Sequence, residues 1–231
     1  MAGKSEIRGM NITLVAATRM EIEPTLHYLS ERIYLRRHQH IDTLITGVGM
    51  VSTTYQLARQ FLTNKPTLAI QAGIAGSFHP IYAPGMVVSV REELMGDLGV
   101  SETDGWKDLF DLGFVAQNDT PWQNKKLTNP HQELLRKTAL ECVRGLTVNQ
   151  ISTNRDMINT IRDKYMPVVE SMEGAAFHYV CLMEKIPFLQ LRGISNYVGE
   201  RNKANWKIRE SIDALNQQLI KMINQITEPY T

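Results

Sequence analysis

Short apolar runs alternate with longer amphipathic segments along most of the chain. Such runs predict buried strands, and apolar residues that recur every three or four positions predict helices. The predicted strands cover residues 11–17, 33–39, 42–47, 67–73, 86–90, 146–151 and 187–193, with 33–39 at an edge of the sheet. The predicted helices cover residues 21–31, 51–63, 130–143, 156–163, 171–184 and 203–226. This alternation indicates an α/β fold of three α/β/α layers around a mostly parallel, twisted, mixed central sheet.

One segment, residues 95–128, departs from this alternation. It is polar and aromatic and shows no clear periodicity. A segment of this length inside a compact domain indicates a lid or an interface element rather than a linker. Because 231 residues are enough for one hydrophobic core, we expect a single domain over residues 1–231 with this segment attached.

The composition excludes several classes of function. The 25 Lys and Arg residues nearly balance the 24 Asp and Glu residues, so no overall field attracts nucleic acid or a membrane surface. Cys142 and Cys181 are far apart and form neither a disulfide framework nor a zinc motif. We find no signal-peptide pattern and no membrane-spanning apolar run. These features predict a cytoplasmic protein that acts on a small molecule.

Polar residues and glycine-rich turns follow the predicted strands. In an open α/β sheet, ligands bind outside the carboxyl ends of the strands, so these groups are expected to meet at one rim. Their convergence predicts the active site of an enzyme. In chain order they are Glu21, Glu23, the turns "GVGM" (47–50) and "AGIAGS" (72–77), "STNRD" (152–156), Glu173, Ser195 and Asn196.

Some of these features also have a structural explanation. Glu23 is equally compatible with an acid that stabilises a helix N-terminus. The "GVGMVS" turn matches half of a dinucleotide fingerprint, but Ser52 replaces the third glycine and no acidic residue follows at the required distance. A nicotinamide cofactor is therefore not expected. Glu173 lies among apolar residues, which predicts a buried, hydrogen-bonded carboxylate, and His178 is better explained as a buried structural histidine.

Five motifs in this order resemble those of the nucleoside phosphorylase and nucleosidase family. They are Glu23 after the first strand, "GVGMV" (47–51), "QAGIAGSF" (71–78), "VESMEGAAF" (169–177) and "RGISN" (192–196). The segments "ESMEGAAF", "ISNYVGERNKANW" and "DLG" (97–99) resemble the futalosine hydrolase subgroup in particular. The resemblance implies a nucleoside phosphorylase-like fold and cofactor-free hydrolysis of a purine nucleoside, futalosine, in menaquinone biosynthesis. It also implies a homodimer or larger homo-oligomer in which a neighbouring loop covers part of each site.

The resemblance also implies roles for individual residues. Met172 and Glu173 would hold the ribose, with Glu173 accepting hydrogen bonds from its 2′- and 3′-hydroxyls. Glu23 would activate the attacking water, and Asn196 would contact the purine. Carboxylates near the sugar suit the positive charge of an oxocarbenium-like transition state, and a donor near the base suits the charge that arrives there. The other predicted substrate-binding residues are Val48, Gly73, Ile74, Ser152 and Ser195.

Water and phosphate are the two nucleophiles that this family uses. A phosphorylase needs cations to hold phosphate, and phosphorylases of the family carry an arginine in the motif that reads "QAGIAG" here. This chain has Gln71 and Ile74 in that motif and no arginine near the turn at 47–50. Hydrolysis without metal or phosphate is therefore expected. A phosphorylase specific for 6-oxopurines remains an alternative.

Substrate identity is the least constrained prediction. A neutral amide at Asn196 can donate to N7 and O6 of a 6-oxopurine, which favours futalosine. The alternatives are a nucleosidase for methylthioadenosine, adenosylhomocysteine or aminofutalosine, and a non-catalytic nucleoside-binding module. Arg155 and Arg201 are candidates to bind a carboxylate at the 5′ end of the substrate, although a surface or capping role explains them equally simply.

Overall fold

The computed structural model describes residues 10–32, 40–103 and 105–227. The predicted edge strand at 33–39 lies outside the described residues. The strands are β1 (Asn11–Ala16), β2 (His40–Ile45), β3 (Leu68–Ser77), β4 (Val87–Met95), β5 (Gly99–Glu102), β6 (Gly105–Asp108), β7 (Leu127–Thr128), β8 (Cys142–Thr147), β9 (Val169–Ser171) and β10 (Phe188–Tyr197). The helices are α1 (Arg19–Glu31), α2 (Met50–Thr63), α3 (Gln132–Lys137), α4 (Arg155–Tyr165), α5 (Gly174–Met183) and α6 (Ile208–Thr227), with a 3-10 turn at Lys203–Asn205.

Eight strands form one mixed sheet in the order β10-β4-β8-β9-β3-β1-β2, with β7 beside β4. The pairs β1–β2, β1–β3, β3–β10, β4–β8 and β8–β9 are parallel. The pairs β4–β10, β3–β9 and β4–β7 are antiparallel. Because β10 pairs with both β4 and β3, five strands close into a ring. The mostly parallel mixed sheet is confirmed, and its partial closure is an addition to the prediction.

Helices cover both faces of β1 and β3. On one face, Ile22 of α1 and Leu215 and Leu219 of α6 pack against Ile12 and other strand residues. On the other face, α2 and α5 pack through residues such as Leu57, Phe61, Phe177 and Val180. This arrangement is the predicted layering of helix, sheet and helix. Within the three described ranges, no helix is both long enough and apolar enough to cross a membrane.

The prediction for residues 130–143 is wrong in its second half. A helix forms only over Gln132–Lys137, and Cys142 already begins β8. Ala139 has a φ of 53°, a backbone conformation that α-helices of L-residues do not contain. The chain therefore turns sharply at Ala139. The predicted strand at 146–151 begins four residues too late for the same reason, since β8 covers Cys142–Thr147.

The segment at 95–128 contributes none of its described residues to the main cavity of the chain, which opens at the strand ends. It contains the β5–β6 hairpin, and its Phe110 and Trp122 pack edge to face. Trp122 joins Leu127 and Ala175 in a small core against α5. An interface role for the segment stays a prediction.

Asn216 ties α1 to α6 in the interior of the protein. Its Oδ1 accepts hydrogen bonds from the backbone N–H and the hydroxyl of Thr25, at 3.1 and 2.6 Å. Its Nδ2 donates to the carbonyl oxygens of Glu21 and Ile212, at 2.9 and 2.7 Å. Asn216 is buried, with 1% of its surface exposed. These bonds fix the position of the first turn of α1.

We expect Asn216→Ala to lower the free energy of unfolding by about 2–4 kcal/mol, because it leaves several buried polar groups without partners. Chemical denaturation monitored by circular dichroism measures this change. Gln217→Ala, at the neighbouring exposed position of α6, is the matched control and should change the stability by about 0.5 kcal/mol or less. Equal stability of the two variants would show that the bonds of Asn216 do not hold α1.

Candidate active site

A cavity of about 250 Å³ opens at the carboxyl ends of the central strands. It lies where ligands bind in α/β sheets. Residues from β3, β9 and β10 meet there with the first turn of α1 and the turn before α2. The polar and charged residues that line it are Thr18, Glu21, Glu170, Ser171, Glu173, Ser195, Asn196 and Glu200. Its apolar lining includes Met20, Val48, Ile74, Ala75, Val148, Ile151, Met172, Val198 and Trp206.

Glu21 is the acid of α1 that faces this cavity. Its Oε1 accepts from the backbone N–H of Ile74 at 3.0 Å. Its Oε2 accepts from the backbone N–H and the hydroxyl of Thr18, both at 2.9 Å. The bond from the Thr18 N–H is one half of a capping box at the start of α1, whose other half joins the Glu21 N–H to the Thr18 side chain. The side chain is 6% exposed, so the carboxylate is held at the cavity wall in one orientation.

The predicted placement of Glu23 in this cavity is wrong. Glu23 lies two residues after Glu21, and two residues correspond to about 200° of rotation on an α-helix. Its side chain is 63% exposed and pairs with Arg19, with Nε to Oε1 at 3.4 Å. Both residues follow the first strand. Only the face of α1 that each one occupies distinguishes them.

Glu173 connects the cavity with the glycine turn before α2. It stands at the N-terminal boundary of α5, and its Oε1 accepts from the backbone N–H of Gly49 at 2.9 Å. Gly47 and Gly49 have φ values of 81° and 93°, which favour glycine at both positions. Burial raises the pKa of Glu173, while the positive charge of Arg192 and the Gly49 N–H oppose that rise. The prediction of a buried, hydrogen-bonded carboxylate is confirmed.

Asn196 presents its amide donor at the opposite side of the cavity. Its Oδ1 lies 2.8 Å from the hydroxyl of Ser195, which donates to it. Its Nδ2 donates to the carbonyl oxygen of Tyr197 at 2.9 Å. A carbonyl oxygen only accepts, so the reversed amide would place two acceptors together. Asn196 therefore keeps one N–H of its amide for a ligand.

The structure brings most of the other predicted residues to the cavity. Val48, Ile74, Met172 and Ser195 line it together with Glu173 and Asn196. Ser152 and Gly73 are not among the lining residues. Ser152 supports the cavity from behind, because its backbone N–H donates to Oε1 of Glu170 at 3.1 Å. Their roles in substrate binding stay predictions.

The family of the chain follows from comparison with known proteins. Residues 22–228 match the model of the phosphorylase superfamily. The chain belongs to this superfamily. A futalosine hydrolase from Thermus thermophilus is 31% identical over 184 residues, which cover 78% of this chain and 80% of that protein.

Solved structures show the same superfamily fold. A variant of the Helicobacter pylori methylthioadenosine/adenosylhomocysteine nucleosidase, with methylthioadenosine in its active site, aligns with a TM-score of 0.78 and 16% identity. The alignment covers 94% of this chain and 99% of that one. A futalosine hydrolase from the same organism aligns with a TM-score of 0.75 and 15% identity, covering 94% and 98% of the two chains.

Behind the cavity wall of this superfamily member lies a buried arginine, Arg192, which is not among the predicted site residues. The pairing of β3 with β10 places Arg192 opposite Gly73. A methyl group at Gly73 would lie 2.5 Å from Nη1 of Arg192 and 2.8 Å from Oε1 of Glu21. Gly73 thus lets the guanidinium approach the carboxylate from behind the cavity wall. The signal was present in the sequence, since Arg192 interrupts the apolar run "PFLQLRG".

A second carboxylate, Glu93, is buried behind the site. It accepts from Nε2 of Gln190 at 2.8 Å and from the hydroxyl of Thr147 at 3.0 Å. Burial raises its pKa to about 7, although Gln190, Arg192 and Thr147 oppose the rise. The same buried region lowers the pKa of His178 to about 4. His178 is therefore neutral near pH 7, as its interpretation as a structural histidine requires.

We expect the stability of the protein to depend on pH through Glu93. The folded state keeps the Glu93 proton up to about pH 7, whereas the unfolded chain loses it near its ordinary pKa. The contribution of Glu93 to stability therefore falls as pH rises between these two values. Relative to Glu93→Gln, the wild type should lose about 3 kcal/mol of unfolding free energy across this window.

Denaturant titrations from about pH 5 to about pH 8 test this expectation. Glu92→Gln is the matched control, since Arg144 and Lys126 lower the pKa of Glu92 although partial burial opposes them. The stability difference between Glu92→Gln and the wild type should be constant over the same range. A constant difference for Glu93→Gln as well would mean that Glu93 titrates normally.

Proposed function

We propose that this protein hydrolyses the N-glycosidic bond of a 6-oxopurine nucleoside, with futalosine as its substrate in menaquinone biosynthesis. The relatives and neighbours reported above are named futalosine hydrolase or nucleosidase, and the chain is an N-glycosidase. The choice of water as nucleophile and of futalosine as substrate is the proposal. It is supported by the charges in the cavity and by the orientation of Asn196.

The observation that carries the proposal is the charge of the cavity wall. Four carboxylates line it, from Glu21, Glu170, Glu173 and Glu200, and no Lys, Arg or His does so among the described residues. A phosphate dianion needs cationic donors, and this wall would repel it. A neutral water is compatible with the wall, and a carboxylate can take its proton. Hydrolysis is therefore favoured over phosphorolysis.

Glu21 is the residue that we assign to the attacking water, in place of Glu23. Its carboxylate is fixed by three donors from Thr18 and Ile74, so its remaining acceptor positions have a constant direction. Arg192 lies behind it, on the far side of Gly73. A pre-oriented carboxylate beside the sugar acts as a general base and also stabilises the oxocarbenium-like transition state.

Glu173 and Asn196 complete the proposed machinery. Oε1 of Glu173 accepts from Gly49, and we assign the acceptance of hydrogen bonds from the ribose hydroxyls to the same carboxylate, next to Met172. Asn196 offers an N–H where electrons arrive on the leaving base. An N–H suits N7 and O6 of hypoxanthine, which both accept, whereas the edge of adenine carries an acceptor and a donor.

Methylthioadenosine is the second candidate substrate. Met20 and Val48 line the cavity while remaining 56% and 58% exposed, and this apolar rim suits an alkylthio group. Neither of the two candidate cations for a 5′ carboxylate, Arg155 and Arg201, lines the cavity. Arg155 lies in a neighbouring depression with Asn159. The helix α2 also exposes three apolar residues, Val51, Tyr55 and Leu62. They support the proposal that a second copy of the chain covers α2 and the neighbouring rim at Val48.

We expect the purified protein to release hypoxanthine from futalosine without added phosphate and to form free sugar rather than a sugar 1-phosphate. Initial rates with futalosine, aminofutalosine, methylthioadenosine and inosine, each with and without phosphate, measure this. A phosphate requirement would contradict hydrolysis. Preference for methylthioadenosine over futalosine would reject the substrate assignment and leave the nucleosidase assignment in place.

We expect Glu21→Gln to reduce kcat by about 10²–10⁴-fold, because it removes the general base. Glu23→Gln is the matched control on the same helix and should keep kcat within about twofold, since Glu23 is exposed and paired with Arg19. Circular dichroism confirms that both variants are folded. The reverse pattern, with Glu23→Gln inactive and Glu21→Gln active, would restore the sequence-based assignment.

A further inference from the structure

The carboxylate of Glu93 lies against the first turn of α5. Glu93 of β4 pairs with Gly145 of β8, and its side chain is fully buried. A Cβ atom at Gly145 or at Gly174 would overlap with Oε1 of Glu93, so both glycines leave space for the carboxylate. Gly174 is the first residue of α5 and directly follows Glu173. Glu93 therefore contacts the backbone next to one of the acids of the cavity wall.

Glu173 occupies the N-cap position of α5 but does not cap the helix with its side chain. An N-cap side chain ordinarily accepts from the backbone N–H of the second or third helical residue. Glu173 makes no such bond, and its Oε1 accepts instead from the backbone N–H of Gly49 at 2.9 Å. The carboxylate is thereby part of the cavity wall. The first turn of α5 consequently needs an acceptor from elsewhere.

Thr147 of β8 supplies this acceptor. Its hydroxyl accepts from the backbone N–H of Ala175, the second residue of α5, at 2.7 Å. The same hydroxyl donates to Oε2 of Glu93 at 3.0 Å, while Oε1 of Glu93 accepts from Nε2 of Gln190 at 2.8 Å. A hydroxyl has one proton, so its donation to Glu93 leaves a lone pair for the Ala175 N–H. Glu93 and Thr147 together thus cap α5 from within the sheet.

We propose that Glu93 and Thr147 are positioning residues for Glu173: they cap α5 in its place and leave its carboxylate free to bind the sugar. The inference rests on the proposed function, in which Glu173 accepts hydrogen bonds from the ribose hydroxyls. Without the Thr147 hydroxyl, the buried Ala175 N–H loses its acceptor. The side chain at the N-cap position, Glu173, is then the group that replaces it. Glu173 would turn toward its own helix and away from the sugar.

Thr147→Val tests the assignment, because valine keeps the branched shape of threonine and lacks the hydroxyl. The readout is the ratio of kcat/KM for futalosine to kcat/KM for 2′-deoxyfutalosine. This ratio reports on Glu173, since only the ribonucleoside offers a 2′-hydroxyl to it. We expect the ratio to fall at least about tenfold from its wild-type value. Thr147→Ser retains the hydroxyl and should keep the wild-type ratio.

Thr13→Val is the matched control. Thr13 is also a fully buried threonine of a strand, β1, and it does not line the cavity. The same substitution at this position should leave the ratio unchanged. A folded Thr147→Val variant with the wild-type ratio would overturn the inference. An equal fall in Thr13→Val would overturn it as well, because the effect would then follow from the loss of any buried hydroxyl.

Glu93→Gln provides a second variant, which keeps the inference testable if Thr147→Val does not fold. The amide has the shape of the carboxylate but only one oxygen for the two donors, Gln190 and Thr147. The proton of Thr147 then loses its fixed direction, and the ratio should fall here too. The double variant should show the ratio of Thr147→Val alone, because both changes act through one hydroxyl. Additive effects would reject the route through Thr147.

The same measurements separate this inference from the choice of substrate. If the protein prefers methylthioadenosine to futalosine, methylthioadenosine and its 2′-deoxy analogue replace the futalosine pair. The ratios in Thr147→Val and in Thr13→Val then decide the inference in the same way. A wild-type enzyme that hydrolyses a ribonucleoside and its 2′-deoxy analogue equally well would contradict the ribose-binding role of Glu173, and with it this inference.

Discussion

The pairing of β3 with β10 is the constraint on which the site depends. Its register sets Arg192 opposite Gly73 and Asn196 opposite Gly76, with an irregularity between Ile194 and Asn196. A side chain at Gly73 would collide with Arg192 and Glu21. Gly73 therefore admits the Arg192 guanidinium and the Glu21 carboxylate, which would otherwise have no space. Since a slip of one residue reverses every side chain of a strand, this register and the site form together.

The charges of the site are stabilised by donors from the fold rather than by ion pairs. Glu21, Glu170 and Glu173 accept from the backbone N–H groups of Ile74, Ser152 and Gly49, respectively. Such donors are fixed by turns and strands and need no reorganisation when charge develops on a substrate. Burial of these carboxylates also carries a cost in stability, because it raises the pKa of Glu93, Glu170 and Glu173. The interior bonds of Asn216 stabilise the fold against that cost.

The sequence was sufficient for the fold class and for most of the cavity wall, since apolar periodicity and motifs at strand ends are local signals. It was insufficient where the position of a side chain depends on the rotation of a helix or on the pairing of two strands. Glu21 and Glu23 differ only in the face of α1 that each occupies. Arg192 could be placed only through the partner strand, and the support of Glu170 by the Ser152 N–H only through the path of the chain before α4. The helix predicted over 130–143 failed because the backbone reverses at Ala139, a residue type that gives no turn signal.

The neutral amide of Asn196 is explained by the carboxylate across from it. Because Glu170 lies on the other side of Gly76, an aspartate at position 196 would place two carboxyl groups beside the same purine. Like charges in a shared site raise the pKa of one group, so one acid would hold a proton and either could donate. The direction of each hydrogen bond would then depend on which acid held the proton. An amide whose oxygen is held by Ser195 removes that ambiguity. The donor then stays at Asn196, where a 6-oxopurine presents the acceptors N7 and O6.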